Sequence, residues 1–103
     1  MIDLSKITGF EWDQGNIDKS YKKHSISPNE TEEIFLDIDV KIETDVKHAQ
    51  AEDRYIAIGK TFGREILFVV FTVRNYKIRV ISARIANQKE RRVYEKTKTN
   101  SKV

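Results

Sequence analysis

A long apolar run followed by an alternating segment, residues 65–84 (EILFVVFTVRNYKIRVISAR), constrains the fold of this chain more than any other feature. The run from Ile66 to Val73 is rich in β-branched and aromatic residues and too short to cross a membrane, which favours a strand buried on both faces of a sheet. After a turn-like break at residues 74–77, strict alternation predicts a second strand. Its two faces are predicted to carry Ile78, Val80 and Ser82 on one side and Lys77, Arg79, Ile81 and Ala83 on the other. A central β-hairpin follows from this pattern.

Arginines occur on this hairpin at Arg74, Arg79 and Arg84. A guanidinium stays charged at any working pH and can bind a phosphate through two hydrogen bonds, so a set held by rigid strands suits a phosphate-bearing ligand. The structural alternative pairs these arginines with Asp37, Asp39 or Glu52. Further cations of the same kind are Arg54, Arg91 and Arg92.

Charge is segregated along the chain, although the net charge of the 103 residues is only +3. Residues 1–53 contain 6 Lys and Arg against 13 Asp and Glu, a net charge of −7, whereas residues 54–103 contain 13 against 3, a net charge of +10. A basic half favours a polyanionic partner, because clustered cations displace counterions from phosphates. The acidic half is consistent with self-screening or with a basic protein partner.

The sequence predicts a single domain over residues 1–96 and a flexible tail over residues 97–103. It contains no cysteine, which excludes disulfides and fits a reducing compartment. The N-terminus has no signal-peptide pattern and no apolar run reaches the length of a membrane span, so we expect a cytoplasmic protein with no membrane contact.

Two capping patterns predict helices in the first half of the chain. Residues 10–12 are strand-like and are followed by Asp13, a good helix N-cap. The inner face of that helix is predicted to carry Ile17, Tyr21 and His24. Ser27, with Pro28 and Glu30 at capping-box spacing, predicts a second, short helix. The inner face of the second helix is predicted to carry Thr31, Ile34, Phe35 and Ile38.

Strands are predicted at both ends of a polar loop over residues 44–53: alternation over residues 38–43 predicts one, and residues 54–61 predict the next. Asn87 and Glu90, at capping-box spacing, predict a last helix. Its inward-facing residues are predicted to be Ala86, Val93 and Tyr94. The predicted fold class is therefore α+β, with an antiparallel sheet (a central three-stranded meander plus flanking strands), two N-terminal helices and one C-terminal helix.

His24 lies at the end of a predicted helix and is able to act as an acid or base near neutral pH. The same position suits a half-buried histidine that caps the helix, and His48 in the polar loop is a weaker candidate. The acidic residues and histidine that would have to form a metal site are Asp37, Asp39, Asp45, His48, Glu52 and Asp53. They show no recognised ligand spacing, so neither a metal nor another cofactor is expected.

Four blocks of the sequence resemble the BrnT toxin family: residues 10–24 (FEWDQGNIDKSYKKH), 52–61 (EDRYIAIGKT), 67–86 (LFVVFTVRNYKIRVISARIA) and 90–94 (ERRVY). They follow the family's order and cover most of the chain, and the FEWD…KH and IRxISAR blocks are specific in combination. The family's usual pattern has Gly after the Lys-His pair, where this chain has Ser25. Gly at such a helix end normally relieves a left-handed backbone.

The resemblance implies a RelE-like fold and the toxin half of a bacterial type II toxin–antitoxin pair, which cleaves RNA without a metal and arrests translation. The implied partners are an RNA substrate and a BrnA-like antitoxin, a ribbon-helix-helix DNA-binding protein that neutralises the toxin and represses the shared operon; the ribosome is left open as a further partner. From the family's motifs and the cations around them, the expected catalytic residues are His24, Glu52, Arg54, Arg79 and Arg84. The expected RNA-binding residues are Lys22, Lys23, Arg74, Lys77, Arg91 and Tyr94.

Two other functions stay open at this point. One is a module that binds nucleic acid or an antitoxin without cleaving anything, as a degenerate toxin would. The other is a structural domain whose acidic first half docks a basic protein. Growth arrest on expression, rescued by the neighbouring open reading frame, would distinguish the toxin from both.

Overall fold

The computed structural model describes residues 4–45 and 53–101, with the backbone alone described for residues 20–22 and 97–101. In chain order its elements are β1 (Gly9–Glu11), α1 (Gln14–His24), α2 (Pro28–Glu33), β2 (Lys41–Thr44), β3 (Tyr55–Lys60), β4 (Ile66–Arg74), β5 (Lys77–Ile85) and α3 (Gln88–Ser101). Short 3-10 turns at Leu4–Lys6 and Ile34–Leu36 precede β1 and follow α2. The predicted α+β class, with two helices before the central strands and one after them, is confirmed.

The five strands form one sheet in the order β1-β5-β4-β3-β2. Strands β2 to β5 are antiparallel to their neighbours, and the predicted meander of β3, β4 and β5 lies in the middle of the sheet. The prediction of a wholly antiparallel sheet is wrong at one edge, because β1 pairs with β5 in parallel. Alternating hydrophobicity specifies which face of a strand is buried but not the direction in which the strand runs, so the mixed sheet had no signal in the sequence.

The two faces of the sheet are covered by different parts of the chain. One face is buried beneath α2 and the segments around it, where Ile26 and Ile34 pack against Ala57, Leu67, Val69, Phe71 and Ile78. On the other face α3 covers one end, where Tyr94 packs with Ile58, Ile66 and Ala86. We call the rest of this second face, which carries Val70, Arg79, Ser82 and Arg84, the open face.

A β-bulge in β5 decides which side chains reach the open face. The pairing with β4 slips between Val70 and Phe71, which leaves Ile81 as an extra residue. One extra residue moves the side chains that follow it to the opposite face of the strand. Ser82 therefore shares a face with Arg84 instead of lying on the buried face. The strict alternation expected from the sequence is therefore wrong beyond Ile81.

The predicted helix caps form, but the second helix is shorter than expected. Ser27 makes the reciprocal capping box with Glu30 at the start of α2. The helical segment ends in the turn that closes at Leu36, so Ile38 is off the helix and 95% exposed rather than inward-facing. At the other end of the chain, α3 continues to Ser101, into the segment expected to be a flexible tail, whose flexibility stays a prediction.

Within the described residues, no helix combines the length and the hydrophobicity that crossing a membrane requires.

Candidate functional site

Two neighbouring concavities lie along β5 and share three of its residues, Ile81, Ser82 and Arg84. The first, which we call the cationic concavity, has a volume of about 220 Å³ and is lined by Lys19, Lys23, His24, Ile81, Ser82, Ala83 and Arg84. The second, the apolar concavity, has a volume of about 460 Å³ and is lined by Asp45, Arg54, Ile56, Phe68, Val70, Ile81, Ser82 and Arg84. Side chains from α1, β4 and β5 therefore converge on Arg84, although they are far apart in sequence.

Helix α1 presents cations to this site because it lies beside the edge of β5 that β1 leaves unpaired. The side-chain amide of Asn16 donates a hydrogen bond to the carbonyl oxygen of Val80 on that edge, at 3.2 Å. The last turn of the helix carries Lys23, which is exposed, and His24, which is half-buried, to the wall of the cationic concavity. Lys19, one turn earlier on the same side, completes the wall.

Both ends of α1 are fixed by local backbone contacts. At its start the carboxylate of Asp13 accepts a hydrogen bond from the backbone N–H of Asn16 at 3.2 Å, as the predicted N-cap requires. Just past its end Ser25 has a φ of 57°, the left-handed conformation that the family's Gly would adopt without strain. The Lys23–His24 pair is thus held at a defined helix end in spite of the Gly-to-Ser departure.

Arg84 is held by contacts on two sides. Its Nη1 and Nη2 donate to Oε1 and Oε2 of Glu90 at 2.7 Å each, and Nη1 also donates to the carbonyl oxygen of Ile85 at 3.3 Å. The guanidinium lies over the ring of Phe68, with its carbon 4.1 Å from the ring centroid. These contacts fix both the position and the plane of the guanidinium on the open face.

Glu90 is itself anchored by the cap of α3. The backbone N–H of Asn87 donates to Glu90 Oε1, and the Glu90 N–H donates to Asn87 Oδ1, both at 2.9 Å. Burial alone would raise the pKa of Glu90, but the hydrogen bonds from Arg84 and from the Asn87 amide outweigh it and the pKa is lowered. The hydrogen bond to Glu90 raises the pKa of Arg84, so the pair is ionised at neutral pH.

The pairing with Glu90 leaves one edge of the Arg84 guanidinium for a ligand. Glu90 occupies the edge formed by Nη1 and Nη2, and within the described part of the chain no acceptor contacts Nε. Nε and the outer N–H of Nη2 form two parallel donors, which match two oxygens of a phosphate. The Arg84 side chain is 37% exposed, so it is not sealed off from solvent.

Of the other arginines expected to be catalytic, the structure brings Arg54 to the site but not Arg79. Arg54 lines the apolar concavity together with Arg84. Arg79 lies on the same sheet face but lines neither concavity, and its Nη1 contacts Glu11 Oε1 at 3.4 Å. The sequence left open an ion pair of this kind for each arginine, but with Asp37, Asp39 or Glu52 and not with Glu11.

The remaining expected cations are spread over the surface. Arg74 and Lys77 are exposed and paired across the hairpin turn, at the opposite end of β5 from Arg84. Arg91 is exposed on α3 and lines neither concavity. Lys22 belongs to α1, but its side chain lies outside the described residues, as does the whole of Glu52.

Tyr94 belongs to the core of the protein and not to an RNA-binding surface. Its side chain is 1% exposed, and its hydroxyl donates a hydrogen bond of 2.6 Å to Asp37 Oδ2, which also accepts one from the backbone N–H of Lys60 at 2.9 Å. Burial first, and then the hydrogen bond to Asp37, raises the pKa of Tyr94 well above its usual range. The predicted inward orientation is confirmed, and the expected RNA contact is corrected because neither the ring nor the hydroxyl is accessible.

Sequence reasoning missed two residues of the site. Lys19 could have been found, because it lies one helical turn before Lys23 and therefore on the same side of α1. Ser82 could not, because only the bulge at Ile81 brings it to the open face.

A third concavity, larger than these two, lies elsewhere and carries no comparable chemistry. Its volume is about 550 Å³ and its lining, formed by β1 and α2 and the segments beside them, is Leu4, Ile7, Thr8, Gly9, Phe10, Asn29, Glu32, Glu33, Phe35, Leu36 and Ile78. Among the residues that the structure describes, no group of three or more His, Asp or Glu side chains is arranged to hold a metal ion. His48, the other histidine considered, lies outside those residues.

The fold of this chain is similar to that of a protein whose crystal structure is known. The chain is similar to the Brucella abortus ribonuclease toxin BrnT, known from a crystal structure at 1.1 Å resolution, with a TM-score of 0.61 and 29% sequence identity. The similarity covers 78% of this chain and 97% of the Brucella chain. Curated proteins provide no significant match.

A family comparison gives the same result from the sequence. Residues 12–90, most of the chain, match the family described as the ribonuclease toxin BrnT of type II toxin–antitoxin systems. The matched segment includes His24, Arg54 and Arg84, the residues that approach one another around β5. The chain therefore belongs to the BrnT family of ribonuclease toxins of type II toxin–antitoxin systems.

Proposed function

We propose that this protein cleaves RNA without a metal ion, at the cationic concavity between α1 and β5. The observation that supports this most strongly is the convergence of Lys23, His24 and Arg84 on one concavity, with the free edge of Arg84 available to a phosphate. A phosphodiester bound there would be surrounded by two lysines, a histidine and an arginine. Such a set stabilises the extra negative charge of a phosphorane-like transition state.

The proposed reaction is attack of a ribose 2′-hydroxyl oxygen on the adjacent phosphorus. The 2′-oxygen loses its proton to a general base and bonds to phosphorus, the bond from phosphorus to the 5′-oxygen breaks, and the leaving 5′-oxygen takes up a proton. The products are a 2′,3′-cyclic phosphate and a 5′-hydroxyl. We assign the proton transfers to His24 or Glu52, with Lys23 assisting, and charge stabilisation to Arg84 and Arg54.

The character of the lining supports the proposed metal independence. The described residues that line the cationic concavity are positively charged or neutral, so they repel a divalent cation. The arginine and the lysines would supply the positive charge that a metal ion supplies in other nucleases.

The biological role that we propose is arrest of translation through RNA cleavage in the cytoplasm, with a RelE-like mode of action. The partner would be a BrnA-like ribbon-helix-helix antitoxin that neutralises the toxin, and the ribosome stays open as a further partner. Membership of a toxin–antitoxin family supports an antitoxin and an RNA target as the two partner classes.

The chemistry can be tested through the ends of the product. A 5′-labelled RNA should give fragments that end in a cyclic phosphate, identified by their mobility before and after acid treatment. His24→Ala, Glu52→Ala and Arg84→Ala should each slow the cleavage, whereas Arg64→Ala, which removes an exposed arginine from the β3–β4 turn, should not. Full activity of all three site variants would mean that the active site lies elsewhere.

A further inference from the structure

We propose that the apolar concavity beside Arg84 is a subsite for a nucleobase of the bound RNA. The inference rests on the proposed function in one respect, that the ligand of the neighbouring cationic concavity is RNA. It adds a binding determinant that cations alone do not provide.

The floor of this concavity is an apolar patch that reaches solvent. Ile56, Phe68, Val70 and Ile81 line it, and each of them is only half-buried. Ile56 and Val70 are directly paired neighbours on β3 and β4, so their side chains lie side by side on the open face. Apolar side chains left half-covered at the centre of a sheet favour a flat, weakly polar ligand.

The rim of the concavity is charged and polar, which selects among flat apolar ligands. Arg54 and Arg84 stand beside the patch, Ser82 adds a hydroxyl and Asp45 adds one carboxylate, so the cations outnumber the anion. A nucleobase fits both features, since its faces stack on apolar and aromatic groups while its edges accept and donate hydrogen bonds. The two guanidiniums favour a ligand that brings negative charge with it, as a nucleotide does.

The two concavities are close enough for one nucleotide to occupy both. They share Ile81, Ser82 and Arg84, so Arg84 borders both the place for a phosphate and the place for a base. Arg84 also covers part of the Phe68 ring, with its guanidinium carbon 4.1 Å from the ring centroid. A base entering the apolar concavity would therefore extend an existing stack of an aromatic ring and a guanidinium.

Removing the bases from a ligand while keeping its charge tests this directly. The probes are two fluorescent 2′-O-methyl hexamers, one of mixed sequence and one with a base-free sugar at all six positions. Because the 2′-oxygen is blocked, neither hexamer can be cleaved, and fluorescence anisotropy then measures the dissociation constant independently of catalysis. We expect the base-free hexamer to bind the wild-type protein at least about tenfold more weakly, the effect of stacking one base.

Substitutions then locate the base. Ile81→Ala and Val70→Thr should each reduce the base-dependent difference to about threefold or less, because they remove apolar contact area or place a hydroxyl under the base. The matched control is Val73→Thr, an equally half-buried valine of the same strand that packs against the other face. This control should keep the tenfold difference, and thermal unfolding of each variant checks that it is folded.

Each outcome has a definite meaning. Equal dissociation constants for the two hexamers, or no binding of either, would overturn the nucleobase subsite. A difference that survives in Ile81→Ala and Val70→Thr would place the base elsewhere and also overturn the proposal. Loss of antitoxin binding in these two variants, with equal binding of both hexamers, would instead assign the patch to a protein partner. Absence of cleavage by a protein that discriminates between the hexamers would contradict the proposed ribonuclease activity and leave the subsite standing.

Discussion

Gly59 allows β3 to approach the turn that follows α2. A Cβ atom at this position would lie 2.9 Å from Cβ of Ile34 and 3.0 Å from its carbonyl oxygen, so packed backbone would have to move. We expect Gly59→Ala to lower the free energy of unfolding by about 1–3 kcal/mol, measured by chemical denaturation. Gly9→Ala is the matched control, since a Cβ there meets nothing within 4 Å. Equal effects of the two substitutions would contradict the close approach.

Glu90 is expected to act on RNA cleavage only through Arg84. Glu90→Gln keeps a side-chain acceptor for the Asn87 N–H but cannot receive two hydrogen bonds from the guanidinium, so the free edge of Arg84 should lose its fixed direction. We expect the kcat/KM for RNA cleavage to fall about tenfold through lost alignment, with little change in the melting temperature.

A double-mutant cycle separates this role from an independent one. In an Arg84→Ala background, Glu90→Gln should cause no further loss of kcat/KM. Additive losses would mean that Glu90 acts on the reaction by another route, and a rise in activity for Glu90→Gln alone would mean that Glu90 restrains Arg84 instead of positioning it.

At the residue scale, the sequence predicts which side chains can ionise better than it predicts which of them lie close together. His24 and Arg84 could be named because residue type and motif suffice to identify an ionisable group. That they line the same concavity depends on α1 lying along β5, where Asn16 contacts Val80, 64 positions away in the sequence, and no local pattern encodes such a contact. Ser82 shows the same limit, since one inserted residue reverses its face.

The last helix is attached to the sheet by a buried tyrosine. The hydroxyl of Tyr94 donates to Asp37, which lies between α2 and β2, so one hydrogen bond joins α3 to the segment before β2. Tyr94→Phe should lower the free energy of unfolding at neutral pH by about 1.5–3 kcal/mol, the usual size for a hydrogen bond to a charged group. Tyr76→Phe, at a side chain that is 63% exposed, is the control and should have little effect.

The same tyrosine gives a pH dependence with a definite sign. The pKa of Tyr94 is raised in the folded protein, first by burial and then by the hydrogen bond to Asp37. The stabilisation that protonated Tyr94 adds to the free energy of unfolding is therefore complete below the unfolded tyrosine pKa of about 10. It is lost as the pH rises above that value, because the unfolded chain then releases the proton first. The stability difference between wild type and Tyr94→Phe should narrow above about pH 10 in denaturation curves. A difference that stays constant up to pH 11.5 would contradict the raised pKa.

At the element scale, the helix starts were predictable and the sheet edge was not. The caps at Asp13, Ser27 and Asn87 are formed by residues within three positions of one another, so the sequence contains the whole interaction. The pairing of β1 with β5 joins residues that are 68 positions apart, and its parallel direction depends on the path of α1 and α2 across the sheet.

At the scale of the whole molecule, the cationic concavity does not follow the charge segregation of the sequence, because its lysines come from the acidic first half and its arginine from the basic second half. The acidic helix α2 lies over one face of the sheet, while Arg84 and the cations of α1 meet at β5, next to the β1 edge. The sequence could predict that a basic surface exists, but not that Arg79 and Arg74 would lie outside its centre. That distinction depends on the ion pair with Glu11 and on the length of β5.

The central claim is that a metal-free ribonuclease site lies around Arg84. The most direct measurement is cleavage of total RNA by the purified protein in excess EDTA, beside Arg84→Ala and the surface control Arg64→Ala prepared identically. We expect wild type and Arg64→Ala to cleave RNA in EDTA, and Arg84→Ala to lose at least about a hundredfold in rate, as loss of one transition-state donor typically causes. Cleavage that EDTA abolishes, or that Arg84→Ala retains in full, would contradict the claim.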